Sequence, residues 1–279
     1  MANVIACVDA HVHVHRCYDP DDLLQSAYDN LAAASSDRDR HEAIACFLLL
    51  AESEPEDCFG ALLALAAGGS AARSASGLRL RRWAVGPTAE DVSVVARDRH
   101  RELFIVAGRQ VACREGLEVL VLGTRHRFSD GRPIREVLRE SEALGVPRVI
   151  PWGPGKWLFR RGRLLNALLE EFRRPTLFLG DEGGRPVFWG YPQHFEHAAR
   201  MGVRDLPGTD PLPFPRDIDK VGRMGLKIAV DLDPARPCGS LVRALTQVGA
   251  PLERFATLEP PLRFVRNQIG MQLRKRLHA

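Results

Sequence analysis

The 279-residue sequence lacks any apolar run of 18 residues, so no segment is long enough to cross a bilayer as a helix. Its first residues, MANVIACVDAHVHVH, have no basic region and place Asp9 and His11 where a secretory signal would still be apolar. The cysteines include no C-x-x-C pair, which favours small apolar side chains over disulfides or zinc ligands. These absences predict a cytoplasmic protein.

The motifs of nucleotide-binding folds and serine hydrolases are also missing. The chain has no G-x-x-x-x-G-K-[ST] phosphate loop, no G-x-G-x-x-G after its first predicted strand and no G-x-S-x-G elbow. No fixed-period repeat of the solenoid kind is present. These classes are therefore excluded from further consideration.

The small excess of positive charge is confined to the C-terminus. The sequence has 39 Lys and Arg residues against 35 Asp and Glu, but residues 263–279 contain only basic charges. The remainder is nearly neutral, so nucleic-acid binding is not expected. Apolar residues recur here at helical spacing: Leu262, Val265, Ile269, Leu273 and Leu277. We predict a helix over 262–279 docked by this apolar face, with its basic face in solvent or, alternatively, on an anionic partner or membrane surface.

Short apolar runs alternate with helical patterns along residues 1–261. Runs such as VIACV, IACFLLL and LFIVA are too short for helices and predict buried strands, while stripes at 134–144 and 164–172 predict amphipathic helices. Residues 101–123 depart from this alternation and predict a hairpin or two neighbouring strands. The small-residue stretch 68–78 predicts a loop. The pattern indicates one domain with parallel strands, either a closed barrel or an open doubly wound sheet.

The strongest functional pattern lies after the first predicted strand, in Asp9-Ala-His11-Val-His13-Val-His15. Strand side chains alternate with a period of two, so Asp9, His11 and His13 are expected on one face, joined by His15 if the strand continues. Closely spaced imidazoles suit Zn, Mn or Fe, which accept nitrogen ligands. The sequence predicts a site for one or two divalent ions; the alternative is a polar strand end.

This D-x-H-x-H motif resembles the opening motif of the metal-dependent hydrolases, both the amidohydrolase superfamily and the polymerase-and-histidinol-phosphatase (PHP) family of phosphoesterases. The segments 108–111 and 115–123 are similar in layout to a glycine-led ligand strand and its neighbour in the phosphoesterases. Gln110 stands where that family has an acidic ligand, and Glu118 stands in place of a histidine.

A late segment, LPGTDP at 206–211, resembles the G-[ST]-D motif of both families, in which Asp210 would be a metal ligand or general base. We expect its carboxylate within about 6 Å of the imidazoles of His11 and His13. The resemblance implies a distorted, TIM-like (β/α) barrel of seven or eight mostly parallel strands.

Polar loops follow two later predicted strands, as a barrel active site requires. Lys156 lies in the first loop, and the second, GDEGGRP, contains Asp181, Glu182 and Arg185, although a Gly-rich turn with an exposed acid pair explains it equally well. The candidate metal ligands are His11, His13, His15, Asp181, Glu182 and Asp210. The candidate anion-binding residues are Arg16, Arg125, Lys156 and Arg185.

Together these features predict a metal-dependent hydrolase that acts on a small anionic substrate, with a phosphoester slightly favoured over an amide because of the arginines. Asp210 would accept a proton or bind the metal, while Lys156 and Arg185 would hold negative charge. The alternative is a catalytically degenerate barrel that acts as a binding or scaffold protein. The sequence leaves the oligomeric state open.

Overall fold

A computed structural model of the chain describes residues 2–35, 43–68, 78–172 and 175–277. Its strands are β1 (Ala2–Val12), β2 (Ile44–Leu50), β3 (Ala84–Pro87), β4 (Ser93–Asp98), β5 (Arg101–Val106), β6 (Gly108–Ala112), β7 (Glu118–Leu122), β8 (Arg148–Pro151), β9 (Leu177–Gly180), β10 (Arg204–Asp205), β11 (Met224–Leu232) and β12 (Glu253–Ala256). Its α-helices are α1 (Pro20–Ala33), α2 (Cys58–Ala66), α3 (Ile134–Ala143), α4 (Phe159–Glu171), α5 (Gln193–Arg200), α6 (Pro237–Thr246) and α7 (Pro261–Leu277), and a 3-10 helix spans Pro215–Lys220.

The strands form two open sheets. The first has seven strands in the order β12-β11-β1-β2-β5-β4-β3, and the second has five in the order β10-β9-β8-β7-β6. Within the described ranges, the pairs β1-β2, β2-β5, β8-β9 and β9-β10 are parallel, and the other six are antiparallel. The molecule therefore has a mixed α/β fold, and the expected TIM-like barrel of mostly parallel strands is wrong.

Tight connections produce several of the antiparallel pairs. Arg99 and His100 alone join β4 to β5, and Asp98 pairs with Arg101 across this two-residue hairpin. Arg99 has a φ of 53°, as such hairpin turns require. Residues 113–117 similarly connect β6 to the antiparallel β7. The apolar periodicity located the strands. Whether two paired strands run parallel depends on the length of the connection between them, and the alternation of strand and helix patterns does not give that length.

The chain crosses from one sheet to the other at Ala107, between β5 and β6. A Cβ at Gly108 would lie 2.3 Å from the backbone oxygen of Leu50, so β6 approaches β2 more closely than any residue with a side chain allows. The two apolar runs expected to pair within 101–123 are β5 and β7, and they lie in different sheets, so that pairing is wrong. The antiparallel partner of β7 is β6, which the sequence did not mark as a separate strand.

The core consists of three layers of apolar side chains. Val8, Phe47, Leu120 and Phe178 belong to the layer in which side chains of both sheets meet. Side chains of α1 and α2 cover the other face of the first sheet, and those of α3, α4 and α5 cover the second. The amphipathic helices predicted at 134–144 and 164–172 are confirmed as α3 and α4, which bury most of their apolar stripes, whereas Leu144 lies after α3 and is exposed.

Helix α7 docks through the face opposite to the one we expected. Arg263 pairs with Asp217 and Asp219 of the 3-10 helix, and Asn267 is buried. Leu262, Val265, Ile269 and Leu273, the expected docking stripe, are all exposed. The expected docking face is wrong because ion pairs, which apolar periodicity does not report, hold the helix. The side chain of Leu277 and most of the predicted 68–78 loop lie outside the described residues.

None of the helices in the described ranges combines the length and apolar character needed to span a membrane.

We predict that Gly108→Ala lowers the free energy of unfolding by about 3 kcal/mol, because the added Cβ collides with backbone at the sheet crossing. Gly190→Ala is the matched control, since a Cβ there meets no atom within 4 Å. Urea denaturation of both variants measures the difference. Equal stability of the two would contradict the close approach of β6 to β2.

Candidate functional site

The histidine pattern lies at the C-terminal end of β1, where the strand is irregular. The step from Asp9 to Val12 spans three residues, while the matching step on β2, from Leu48 to Leu50, spans two. Val8, before this bulge, packs in the layer between the sheets, and Val12, after it, packs on the opposite side. A bulge redirects the side chains that follow it. The expectation that Asp9 shares a face with His11 and His13 is therefore wrong.

Asp9 is fully buried and connects three segments of the chain. Its carboxylate accepts hydrogen bonds from the backbone N–H groups of His11, Thr209 and Gly222 and from the Thr209 hydroxyl. Burial raises the pKa of Asp9 to about 6, although these hydrogen bonds favour the ionised form. These contacts fix residues 208–210 beside the end of β1.

Asp210 reaches the histidines from this segment. Its N–H donates to the backbone oxygen of His11, and its Oδ1 lies 3.6 Å from His11 Nε2 and 3.5 Å from His13 Nε2. Both distances are within the 6 Å limit that we set from the sequence. A Cβ at Gly208 would lie 2.3 Å from His11 N, so this approach requires glycine. Asp210 itself has a φ of 44°, in the left-handed region.

The three candidate ligand atoms have the spacing of a metal coordination shell. His11 Nε2 and His13 Nε2 lie 3.1 Å apart, so the triangle with Asp210 Oδ1 has edges of 3.1, 3.5 and 3.6 Å. Metal–ligand bonds of about 2.0–2.1 Å in tetrahedral geometry give edges of roughly 3.3–3.4 Å. Among the described residues, these three form the group of potential ligands close enough for one ion. The site fits a divalent ion that accepts nitrogen and oxygen ligands.

The ionisation states of these side chains also suit a cation. Burial and then the neighbouring His11 lower the pKa of His13, so its imidazole keeps a free lone pair at neutral pH. Burial alone would raise the pKa of Asp210, but His11, His13, Glu182 and Lys156 together lower it to about 2. Asp210 is therefore a carboxylate at neutral pH.

Two further side chains contact the imidazole of His11. Glu182 Oε1 lies 3.4 Å from His11 Nδ1, and each atom is buried without a hydrogen-bond partner. Gln110 Oε1 lies 2.9 Å from His11 Nε2. Burial and then the charge of Asp210 raise the pKa of Glu182 well above its usual value. Glu182 thus lies beside Nδ1, the ring nitrogen of His11 that is not part of the ligand triangle. Carboxylates in this position orient metal-binding histidines.

Asp181 lies apart from the ligand triangle. Its carboxylate pairs with the Arg185 guanidinium at 2.8 and 2.9 Å and with Arg254 at 2.5 Å. We therefore remove Asp181 from the candidate ligands and Arg185 from the residues available to a substrate. Asp181 and Glu182 are both buried, so an exposed acid pair does not describe this loop.

Lys156 lies close to the site and is held by an acid. Its Nζ donates to Glu118 Oε2 at 2.5 Å. Burial alone would lower the pKa of Lys156, but Glu118 and the more distant Glu182 and Asp210 raise it, so the ammonium stays charged. Glu118, which stands where the resemblance implied a histidine, is thus the ion-pair partner of Lys156.

His15 and Tyr18 support the Asp210 segment from outside the triangle. His15 Nε2 donates to the backbone oxygen of Pro211 at 2.8 Å, and the Tyr18 hydroxyl donates to that of Leu212 at 2.5 Å. His15 is not one of the three clustered ligands. Nothing in the sequence pattern marked Tyr18. Thr209 was visible only as the [ST] position of the G-[ST]-D motif, without a role, and Gln110 was visible as a departure from the phosphoesterase layout.

The remaining predicted anion-binding residues lie at the surface. Arg16 is exposed, and Arg125 is exposed with its guanidinium 3.7 Å from Asp91. The structure gives neither residue a contact with the ligand triangle.

A cavity of about 50 Å³ opens beside the ligand triangle. Its lining includes Glu182, Asp210 and Trp152, together with Asn267 and Gln268 of α7. This volume holds a few water molecules.

Comparison with known proteins identifies a fold neighbour and no family. Neither the family models nor the curated proteins compared with the chain give a match. The fold is similar to that of the crystal structure of PsfC from Pseudomonas syringae PB-5123, with a TM-score of 0.55 over 98% of this chain and 99% of that chain. The two sequences are 14% identical, so the similarity concerns the fold alone.

We predict that Thr209→Val lowers the free energy of unfolding by about 2 kcal/mol, because the buried Asp9 carboxylate loses its hydroxyl donor. Thr246→Val is the matched control, since that hydroxyl bonds only to backbone oxygens of its own helix. Thermal and urea denaturation compare the two variants. Equal destabilisation would argue against a special role for the Asp9–Thr209 contact.

Proposed function

We propose that this protein is a metal-dependent hydrolase that acts on a small anionic substrate. The observation that carries the proposal is the triangle of His11 Nε2, His13 Nε2 and Asp210 Oδ1, with edges of 3.1 to 3.6 Å. Three protein ligands of this kind are typical of catalytic sites, which keep a position for water or substrate, whereas structural zinc sites use four. A bound Zn, Mn or Fe ion would supply Lewis acidity and activate water for hydrolysis.

The side chains around the triangle have separate roles in this proposal. His11 and His13 hold the ion through Nε2, and Glu182 orients His11 from the Nδ1 side. The Asp210 carboxylate is ionised, so it can bind the ion or accept a proton from water. Lys156 provides a positive charge toward the substrate. A cytoplasmic location, expected from the sequence, remains part of the proposal.

The charge balance of the site supports an anionic substrate only together with a cation. Lys156 is paired with Glu118, so the ionised Asp210 leaves the cluster with a negative balance. An anion approaching the bare site would be repelled, and a divalent charge reverses that balance. With the ion bound, the site attracts an anionic phosphoester more strongly than a neutral amide. We therefore propose a phosphoester as the substrate in preference to an amide.

Metal binding tests the ligand assignment directly. We expect titration calorimetry to show one Zn²⁺ or Mn²⁺ bound per chain, and His11→Ala/His13→Ala to weaken binding at least about a hundredfold by removing two ligands. His100→Ala is the control, because His100 is exposed in the β4-β5 turn. Unchanged affinity in the double variant, or no binding by the unmodified protein, would contradict the site.

Turnover tests the reaction class. With Mn²⁺ or Zn²⁺ present, we expect hydrolysis of p-nitrophenyl phosphate or its diester, and Asp210→Asn should lower kcat about a hundredfold or more while preserving shape. Asp29→Asn, an exposed change on α1, is the control.

The other outcomes separate the alternatives. Hydrolysis of p-nitroanilides but not of phosphoesters would favour the amide. Metal binding without hydrolysis of either would favour a binding or scaffold protein. Oxygen consumption with Fe²⁺ would instead favour an oxygenase, because two histidines and one carboxylate also form the ligand set of non-haem iron oxygenases.

A further inference from the structure

The outer face of α7 is an apolar stripe that the protein leaves in solvent. Leu262 is 87% exposed, Val265 51%, Ile269 57% and Leu273 55%. These side chains follow one another at intervals of three or four residues, so they line one side of the helix. Scattered exposed apolar residues are ordinary, but a continuous stripe of four large ones marks a contact surface.

The opposite face of α7 is fixed to the protein, so the stripe cannot rotate inward. Arg263 pairs with Asp217 and Asp219, and Asn267 accepts a hydrogen bond from Arg216. A Cβ at Gly270 would lie 2.7 Å from the Phe214 ring, which shows how closely the helix backbone packs there. These contacts hold α7 in one orientation, with the apolar stripe facing solvent.

Positive charge flanks the stripe on the same exposed side. Arg266 lies one turn after Leu262, and Arg276 lies about one turn after Leu273; both are exposed. Residues 260–279 contain no Asp or Glu. The last acid before them, Glu259, is buried and pairs with Lys220.

We propose that α7 binds an anionic membrane surface, lying in the plane of the interface with its apolar stripe among the lipid headgroups and its arginines on their phosphates. Helices with an apolar stripe flanked by arginines bind such surfaces, and each basic residue near an anionic leaflet strengthens binding about fivefold.

The positive charge beside the stripe favours an anionic lipid surface over a second copy of this chain as its binding partner. Two copies pairing through the stripe would bring Arg266 and Arg276 of each subunit to one interface, with no Asp or Glu on α7 to neutralise them. An anionic lipid surface supplies the missing negative charge.

Vesicle co-sedimentation of the full chain tests this proposal. We expect binding to vesicles of phosphatidylcholine with 30% phosphatidylserine, little binding to phosphatidylcholine alone, and weaker binding in 0.5 M salt. Ile269→Ser/Leu273→Ser should lower the partition coefficient at least about tenfold, and each of Arg266→Gln and Arg276→Gln about fivefold. Val248→Ser is the matched control, because Val248 is 84% exposed but lies outside α7.

Melting temperatures of the variants verify that each is folded, which exposed substitutions should preserve. The proposal is overturned if the unmodified protein does not bind anionic vesicles, or if Val248→Ser weakens binding as much as Ile269→Ser/Leu273→Ser does. It is also overturned if light scattering shows a dimer that Ile269→Ser/Leu273→Ser abolishes. Vesicle binding is measured without metal or substrate, so its failure and the failure of the hydrolase proposal are distinguishable.

Discussion

The buried carboxylate of Asp9 is the contact on which the candidate site depends. Four hydrogen bonds reach it from three segments: the end of β1, the Gly208–Asp210 segment and Gly222. An acidic group with no solvent exposure is costly unless donors surround it, so its presence commits those segments to one arrangement. Asp210 can approach His11 and His13 only because this arrangement holds its backbone beside β1. The most visible acid of the motif therefore contributes to the site by fixing its geometry.

Sequence patterns predicted the elements of the fold better than their assembly. Apolar runs located the main strands, and the stripes at 134–144 and 164–172 located α3 and α4, because burial on one face leaves a period in the sequence. The direction of a strand relative to its neighbours leaves no comparable pattern in the sequence. The two-residue turn at Arg99 and His100 decides the pairing of β4 with β5 locally, and β11 returns antiparallel to β1 after a long connection. The barrel expected from the resemblance required directions that these connections do not provide.

The site shows the same division between local and distant information. The spacing of His11 and His13 and the glycine of the G-T-D segment are local, and the structure brings these residues together with Asp210. The bulge in β1 was not visible in the sequence, and it turned Asp9 away from the histidines. Asp181 pairs with Arg185, four residues away, and with Arg254 of β12, far along the chain, and neither pairing leaves a mark in the sequence. A loop acid next to glycines has the same local pattern whether it meets a metal or an arginine.

The left-handed backbone of Asp210 limits which residues could replace it. Asp, Asn and Gly adopt a φ of 44° at small cost, whereas longer or branched side chains are strained there. Asn and Gly keep the backbone but lose the negative charge, and Glu keeps the charge but strains the backbone and extends the carboxylate by one methylene. Aspartate is thus the one acidic residue that satisfies both the conformation and the charge at this position. If the ligand set were to change over evolution, this backbone would favour an exchange at the histidines over a different acid at position 210.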